Sequence, residues 1–382
     1  MPNTGSATQT TPLHDPTPFS HVAVIGGGAW GTALALTAHR AGRSTSLWIR
    51  EESAAAEIGS TGRNPFLPGH EIPRAIAVTT ALDAALRGAG LAVLVIPSQH
   101  LRAVAARVEA LLPPGVPVVV CSKGVEAGSG ALMTQVVAEE MPGRPQAVLS
   151  GPSFAAEVAE DQPTAVTIAA AGPGGPQDLF AEDHLAGRVA VTFASETFRP
   201  YLSDDPVGVE VSGAVKNVLA VASGIIAGRG MGSNPRAALL ARGLAEISRL
   251  SVALGGRAET VLGLSGAGDV MLTCSSEQSR NFSFGKALGA GRAPGAAQGA
   301  IGRAVVEGVA NARSVLALAQ RLGVQMPICE AVDRIVHRGL PVERAIAALL
   351  TGPLRAEPRA LEHRASIAHP ALSAPQARRV FA

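Results

Sequence analysis

The run His21-Val-Ala-Val-Ile25 passes directly into Gly26-Gly-Gly-Ala-Trp-Gly31. The β-branched run predicts a short strand, and residues 32–41, closed by Gly42, predict a helix. Between them Gly26, Gly28 and Gly31 have the spacing G-x-G-x-x-G. In such a turn the first glycine permits a tight bend. The second lets backbone approach a pyrophosphate, and the third lets helix and strand pack closely. The start of the helix adds N–H groups and the positive end of its dipole. In a chain with 43 glycines the same spacing also describes a bland strand-to-helix turn, so the surrounding pattern must carry the reading.

That pattern is consistent. Residues 44–49 predict a second strand, and Leu91-Ala-Val-Leu-Val-Ile96 and Val116-Pro-Val-Val-Val-Cys121 are continuous apolar runs. Such runs suit strands buried on both faces. A helix is expected over 101–112 between them, and further strands over 147–149, 164–170 and 189–193. Strands alternating with helices imply a parallel, doubly wound sheet. The character changes at Asp205-Pro206. From there to about residue 352 apolar residues recur every three or four positions, as in 237–254 and 304–322. The expected fold is α/β, an N-terminal Rossmann-type doubly wound sheet followed by a mostly α-helical C-terminal domain. Four segments are expected: a disordered N-terminal extension (1–18), a dinucleotide-binding domain (19–205), a helical substrate and catalytic domain (206–355) and a loose tail (356–382).

Composition narrows the function. At roughly 150 residues per domain, 382 residues suggest two or three domains. Lys and Arg number 32 against 30 Asp and Glu, a formal charge of +2, which argues against a nucleic-acid binder with its basic stripe. Hydrophobic residues at 47% and charged ones at 16% indicate a sizeable core. Cys121, Cys274 and Cys329 stand far apart with no C-x-x-C pair, which excludes a disulfide framework or zinc ribbon and fits a reducing compartment. No histidine spacing suggests a metal site. Residues 1–18, rich in Thr and Pro, have neither a basic start nor an apolar run and do not read as a signal peptide. The most membrane-like stretch, 207–228, carries Glu210, Lys216 and Asn217. A charge at a bilayer centre costs at least ~2.5 kcal/mol, so a buried helix is expected and no membrane span.

The second strand bears on cofactor choice. A site selective for NAD usually places Asp or Glu about 20 residues past the glycines, on the ribose 2′-OH. Here Trp48-Ile49-Arg50 precedes Glu51. Arg50 can pair with a 2′-phosphate, which favours NADPH over NADH. Arg50 can equally be a solvated residue stacking on adenine, and Glu51 can restore NADH binding.

Four further segments hold polar residues that fit neither core nor surface. Lys123 follows a predicted strand at the sheet edge where ligands bind. Ser150-Gly-Pro-Ser-Phe-Ala155 is a second glycine-containing turn after a strand, whose N–H groups and Ser153 can hold a polar group. Lys216-Asn217 lies inside an apolar helix; a buried ammonium is costly unless paired, and burial brings a lysine toward the range useful for proton transfer. Leu264-Ser-Gly-Ala-Gly-Asp269 is followed by Ser279-Arg280-Asn281, a compact donor cluster whose arginine suits bidentate phosphate recognition. Each segment alone also reads as an ordinary turn, a helix cap or a snorkelling lysine.

Taken together in order, Gly26 to Thr32, Ser122 to Gly124, Ser150 to Ala155, Gly213 to Val218, Gly266 to Asp269, Asn281 and Val305 to Gly308 resemble the bacterial NAD(P)-dependent glycerol-3-phosphate dehydrogenase family. The resemblance runs from about His21 to Gly352. It implies an oxidoreductase that interconverts dihydroxyacetone phosphate and sn-glycerol 3-phosphate for phospholipid synthesis in the cytoplasm. It implies Lys216 as proton donor and acceptor, with Lys123 and Asp269 beside it in the catalytic group. Lys123, Gly151, Ser153, Lys216, Asp269, Ser279, Arg280 and Asn281 would contact substrate. Gly26, Gly28, Ala29, Trp30, Gly31, Arg50, Lys123, Ala155, Arg280, Val305 and Glu307 would line the cofactor, NADPH or NADH. The family is usually more basic after the Ser-Arg-Asn cluster than Asn281-Phe-Ser-Phe284 is here, which points to weaker phosphate affinity. A homodimer is expected, with 237–254 or 304–322 as its apolar contact. The rivals are a two-domain 3-hydroxyacid or sugar-acid dehydrogenase, a non-catalytic NADPH-binding sensor, and cysteine chemistry at Cys274, which has no histidine nearby in sequence.

Overall fold

The computed structural model describes residues 16–172, 179–302 and 305–350. The expected tail 356–382 and nearly all of the expected extension 1–18 lie outside the described residues. The chain forms two compact units. The first comprises residues up to Gly213 together with Leu254–Asp269; the second comprises Ala214–Ala253 and the residues from Val270 onward.

The first unit is built on one eight-stranded sheet: β1 (His21–Ile25), β2 (Ser44–Trp48), β3 (Ala77–Thr79), β4 (Leu91–Leu94), β5 (Val118–Val120), β6 (Gln146–Ser150), β7 (Thr164–Ala169) and β8 (Phe198–Ser203). Its order is β3-β2-β1-β4-β5-β6-β7-β8. Helices α1 (Ala29–Arg40), α2 (Glu52–Thr61), α3 (Leu82–Leu86), α4 (Leu101–Glu109), α5 (Met133–Glu140), α6 (Ala155–Ala159) and α7 (Leu185–Phe193) connect the strands. Strand alternation divides the core between two faces. Val22 and Val24 of β1 enter one apolar cluster and Ala23 and Ile25 the other; Leu91 and Val93 of β4 are likewise separated from Ala92 and Leu94. A strand buried on both sides cannot alternate apolar with polar residues, so these runs are continuous in sequence.

The parallel sheet anticipated from the sequence holds from β3 to β6, but β7 runs antiparallel to β6. Residues 189–193, expected as a strand, are the last turn and a half of α7. The His184 ring Nδ1 accepts the Ala186 N–H to start that helix. Burial at Ala186, Val189, Ala190 and Phe193 then has helical spacing. The strand comes later, at β8, where Pro200 and the exposed Arg199 and Tyr201 are acceptable only because β8 is an edge.

From Pro206 onward the described chain is almost wholly helical: α8 (Pro206–Gly228), α9 (Ser233–Ala253), α10 (Asp269–Thr273), α11 (Arg280–Gly289), α12 (Pro294–Ile301), α13 (Glu307–Arg321), α14 (Pro327–Arg338) and α15 (Val342–Leu350). Helix α8 is long and apolar enough to cross a membrane, yet 89% of its most apolar window is buried. It packs on α11 at backbone contact. A Cβ on Gly224 or Gly228 would lie 2.1 Å from the carbonyl oxygen of Phe282 or Lys286, and one on Gly285 or Gly289 would lie 2.0 or 2.2 Å from that of Val221 or Ile225. Both helices thus carry a G-x-x-x-G pair facing the other.

Two buried glutamates close helix starts. Glu210 accepts the Thr134 N–H at 2.8 Å and its hydroxyl at 2.6 Å, at the first turn of α5. Glu246 accepts the N–H groups of Ile328 and Cys329, at 2.7 and 3.3 Å, at the first turn of α14. These helix N–H groups have no intrahelical acceptor. Burial nevertheless raises both carboxyls from 4.5 to about 7, the hydrogen bonds only partly opposing it.

Two predictions follow from this packing. Gly285→Ala is expected to lower the unfolding free energy by about 1–3 kcal/mol, because the methyl group meets backbone that cannot rotate away; urea titration measures it. A raised folded-state pKa means the folded chain retains protons that the unfolded chain has released between about pH 4.5 and 7. The contribution of these two groups to stability therefore falls as pH rises through that window. Relative to wild type, E210Q/E246Q should gain stability from about pH 4.5 to 7 and level off above that, read by urea unfolding at each pH.

Candidate active site

Three of the four glycines in the first turn have no room for a side chain. A Cβ would lie 2.2 Å from the Val95 oxygen at Gly26, 2.6 Å from Ile49 Cβ at Gly27 and 1.8 Å from the Gly26 oxygen at Gly31. At Gly28 it would meet nothing within 4 Å. The first intrahelical bond of α1 runs from the Thr32 N–H to the Gly28 oxygen, so the N–H groups of Ala29, Trp30 and Gly31 have no acceptor within the helix. The turn lies between β1 and β4, where the strand order reverses and open sheets bind ligands. Ala29, Trp30 and Ala155 border one apolar cluster beside it. An open glycine backed by helix N–H groups fits a dinucleotide pyrophosphate.

Arg50 follows β2, and its guanidinium is engaged by its neighbour: Nη2 and Nε reach Glu51 Oε1 at 2.6 and 3.1 Å. The Arg50 side chain is 71% exposed. An exposed pair of this kind is worth at most about 1 kcal/mol, so a 2′-phosphate can exchange with it.

The first unit also assembles Lys123, Ser150, Gly151, Ser153 and Asp269. Lys123 Nζ donates to Asp269 Oδ2 at 2.8 Å, with the lysine side chain 17% exposed and the aspartate 1%. Asp269 is presented by a wide turn, Leu264–Gly268, in which the Gly268 N–H reaches back five residues to the Gly263 oxygen. A side chain at Gly266 would strike the Val261 oxygen at 2.0 Å. A Cβ on Gly213 would touch both Lys123 Cγ and Ser150 Oγ at 3.4 Å, so the lysine stem and that hydroxyl flank one glycine. The Ser150 hydroxyl is buried with no partner among the described residues. Gly151 approaches β7 so closely that a Cβ would lie 2.8 Å from Val166 Cα, and the Ser153 hydroxyl donates to the Gly151 oxygen.

The second unit holds the remaining expected residues. Lys216 is buried on α8, and its Nζ donates to Thr273 Oγ1 at 3.0 Å. Thr273 is absent from the sequence-based set, since a threonine ending an apolar run carries no signal of its own. Asn217 Nδ2 donates to Glu307 Oε2 at 3.1 Å, and Asn217 Oδ1 accepts from Asn281 Nδ2 at 2.9 Å. Asn281 Oδ1 in turn accepts the Gly308 N–H at 2.8 Å. Asn281 is therefore a buried link between α8, α11 and the start of α13. Ser279 is the N-cap of α11, accepting the Phe282 N–H at 3.2 Å. Arg280, the first residue of α11, is exposed and pairs with no described residue. Val305 is exposed ahead of α13.

The cysteines do not support thiol chemistry. Burial pushes the Cys121 thiol up to about 12 despite Lys123 nearby. Cys274 is fully buried, with its sulfur toward the Lys216 carbonyl oxygen.

A sheet that opens helix N–H groups at its switch point, with a lysine buried in a helix of the second unit, defines the class of two-unit nicotinamide-dependent oxidoreductases. Comparison with known proteins narrows it. Residues 21–174 match the NAD-dependent glycerol-3-phosphate dehydrogenase N-terminus, and residues 205–347 match the C-terminus of the same family. The chain belongs to the NAD-dependent glycerol-3-phosphate dehydrogenase family. It is 51% identical to the glycerol-3-phosphate dehydrogenase, NAD(P)+ type, of Rhodospirillum rubrum over 340 residues, 89% of this chain and 94% of that one. It is 50% identical to the corresponding protein of Caulobacter vibrioides, over 89% of this chain and 99% of that one. The crystal structure of glycerol-3-phosphate dehydrogenase from Coxiella burnetii superposes with a TM-score of 0.80 at 40% identity, covering 87% of this chain and 99% of that one. The hydroxy-acid, sensor and cysteine alternatives gain nothing from these relatives.

The Arg50–Glu51 pair makes a prediction. Glu51→Gln releases the guanidinium, so the ratio of kcat/KM for NADPH over NADH should rise about two- to fivefold, while Arg50→Ala should lower it about tenfold or more. Initial rates with each cofactor measure both.

Proposed function

We propose that this chain catalyses the reversible reduction of dihydroxyacetone phosphate to sn-glycerol 3-phosphate, with Lys216 as general acid and base. One observation carries the proposal: a lysine buried in α8 whose Nζ is held by the Thr273 hydroxyl at 3.0 Å. A nicotinamide dinucleotide, when bound, supplies hydride to the carbonyl carbon and takes it back in the reverse direction. Ketone reduction also needs a proton at the carbonyl oxygen, delivered by a group held within hydrogen-bond reach. Lys216 in its ammonium form donates that proton. In the oxidative direction the neutral amine takes it from the alcohol. Thr273, by accepting one Nζ proton, restricts the directions in which the others point.

Lys123 supplies positive charge beside the substrate, and Asp269 holds it at 2.8 Å and balances that charge. Gly151 and Ser153 offer the main-chain donors of the turn after β6, and the Ser153 hydroxyl turns from the Gly151 oxygen to the substrate. Arg280, whose guanidinium has no competing partner among the described residues, clamps the phosphate with Ser279 and Asn281. Ser279 and Asn281 fix the start of α11 on which Arg280 stands. Binding energy at a phosphate remote from the reacting carbon orients the substrate, so this contact contributes to turnover as well as affinity.

Gly26, Gly28, Ala29, Trp30, Gly31, Arg50, Lys123, Ala155, Arg280, Val305 and Glu307 form the cofactor set in this reading. NADPH is preferred through Arg50. A homodimer in the cytoplasm completes it. Supporting the dimer, Ala237, Ala238 and Ala241 of α9 are exposed, while Ala312, Val315, Leu316, Leu318 and Ala319 of α13 are core. Supporting the location, all three cysteines are free.

Purified protein should oxidise NADPH when dihydroxyacetone phosphate is added, followed at the nicotinamide absorbance band; no oxidation at high enzyme concentration defeats the reading. Lys216→Ala should lower kcat by about 10²–10⁴ while leaving NADPH affinity nearly intact by calorimetry. Retention of more than about a tenth of wild-type turnover removes the general-acid role.

A further inference from the structure

Asn64 lies outside every motif in the sequence, in the segment after α2, yet it is 1% exposed. Its side chain reaches back across the chain to the glycine-rich turn. Nδ2 donates to the Gly27 carbonyl oxygen at 2.9 Å and to Thr32 Oγ1 at 2.7 Å, while Oδ1 accepts the Phe66 N–H of its own loop at 3.0 Å. Both amide protons are therefore spent on the two sides of the turn, and the oxygen anchors the residue in place.

The consequence concerns a peptide plane. In a trans peptide the carbonyl of one residue and the N–H of the next point in opposite directions. Holding the Gly27 oxygen toward Asn64 turns the Gly28 N–H away from it. Gly28 is the one glycine of the turn with open space where a Cβ would stand. Glycine peptides rotate readily because no Cβ restricts them, so a Gly27-Gly28 plane needs an external hold to stay in one orientation.

We propose that Asn64 is a positioning residue for the dinucleotide: it fixes the Gly27–Gly28 peptide so that the Gly28 N–H faces the pyrophosphate. The inference rests on the cofactor part of the proposed function and adds a residue to it. Asn64 touches no reacting atom and acts only through the backbone of the turn. Loss of the clamp should weaken any ligand that carries the pyrophosphate. A fragment held by the adenosine end alone should be unaffected.

Asn64→Asp tests this with little change of shape. The carboxylate still accepts the Phe66 N–H but faces the Gly27 oxygen with a second oxygen in place of a donor. By calorimetry, the Kd for NADPH should rise about tenfold or more, while that for 2′-AMP, which lacks the pyrophosphate, should stay within about twofold. At saturating NADPH, kcat and the KM for dihydroxyacetone phosphate should also stay within about twofold of wild type. Asn64→Ala, which adds no charge, carries the same expectation if the aspartate variant does not fold. Unchanged NADPH affinity in the folded variant overturns the proposal, as does parallel weakening of 2′-AMP, which would make Asn64 a support of the whole cofactor face. A wild-type protein that binds NADPH but leaves dihydroxyacetone phosphate unreduced would defeat the proposed function and leave this inference standing on the binding data.

Discussion

Helices α8 and α11 touch backbone to backbone, and the second unit depends on that contact. Four glycines, two on each helix, face carbonyl oxygens at distances no Cβ tolerates. The close approach is what allows short side chains to bridge the helices: Asn217 reaches Asn281 at 2.9 Å because the axes are near enough for two amides to meet. Asn281 then receives the start of α13 through the Gly308 N–H. A Cβ on Gly308 would stand 2.5 Å from the Asn217 oxygen, so a glycine is needed at this junction as well. Lys216 and Arg280, whose roles in the proposed reaction are proton transfer and phosphate binding, stand beside these two asparagines in the chain. Their separation is thereby set by packed backbone and not by long, mobile side chains, which is how a site holds the tolerances catalysis requires.

The first unit solves a related problem with buried charge. Lys123 and Asp269 pair where the aspartate has almost no access to water. Desolvating two charges is expensive, and such pairs seldom add net stability. In the proposed reaction such a pair fixes an ammonium in place for an anionic substrate. The buried carboxylates Glu210 and Glu246 differ. Each meets backbone N–H groups at a helix start, and burial dominates and lifts both to about 7, although the charge of Arg249 near Glu246 pulls the other way.

Much of this was legible in the chain because local and tertiary demands coincide there. The strand-to-helix turn at Ile25 and Gly26 needs glycine for the bend, for contact with β4 and for ligand access, and all three fall within six residues. Continuous apolar runs marked β4 and β5 since both of their faces are buried. The errors arose where a short stretch satisfied two periods. Residues 189–193 are too few to separate a strand from a helix turn, and only the spacing back to Ala186 discloses α7. The Ser-Arg-Asn cluster reads as three donors aimed at one phosphate. In the structure Ser279 also caps α11 through the Phe282 N–H, three residues on, and Asn281 also links helices through Asn217, a partner 64 residues away in sequence. Asn64 and Thr273 were invisible for the same reason, since their partners lie 32–37 and 57 residues away.

That cluster bears on substrate choice. In the proposed function Arg280 supplies the charge at the start of α11, beside Ser279 and Asn281. A cation in the first turn of a helix opposes the helix dipole and is disfavoured on its own, by up to about 1 kcal/mol when exposed. The sign reverses once an anion lies between the guanidinium and the helix N–H groups, because both then attract it. A phosphate monoester, with close to two negative charges and three acceptor oxygens, gains from the guanidinium and the amides together. A carboxylate has one charge and two oxygens and gains less from the same arrangement. An arginine with no partner among the described residues, placed against its own helix dipole, is thus easier to reconcile with a phosphate ester than with a hydroxy acid, and it supports the proposed glycerol 3-phosphate chemistry on grounds independent of family likeness.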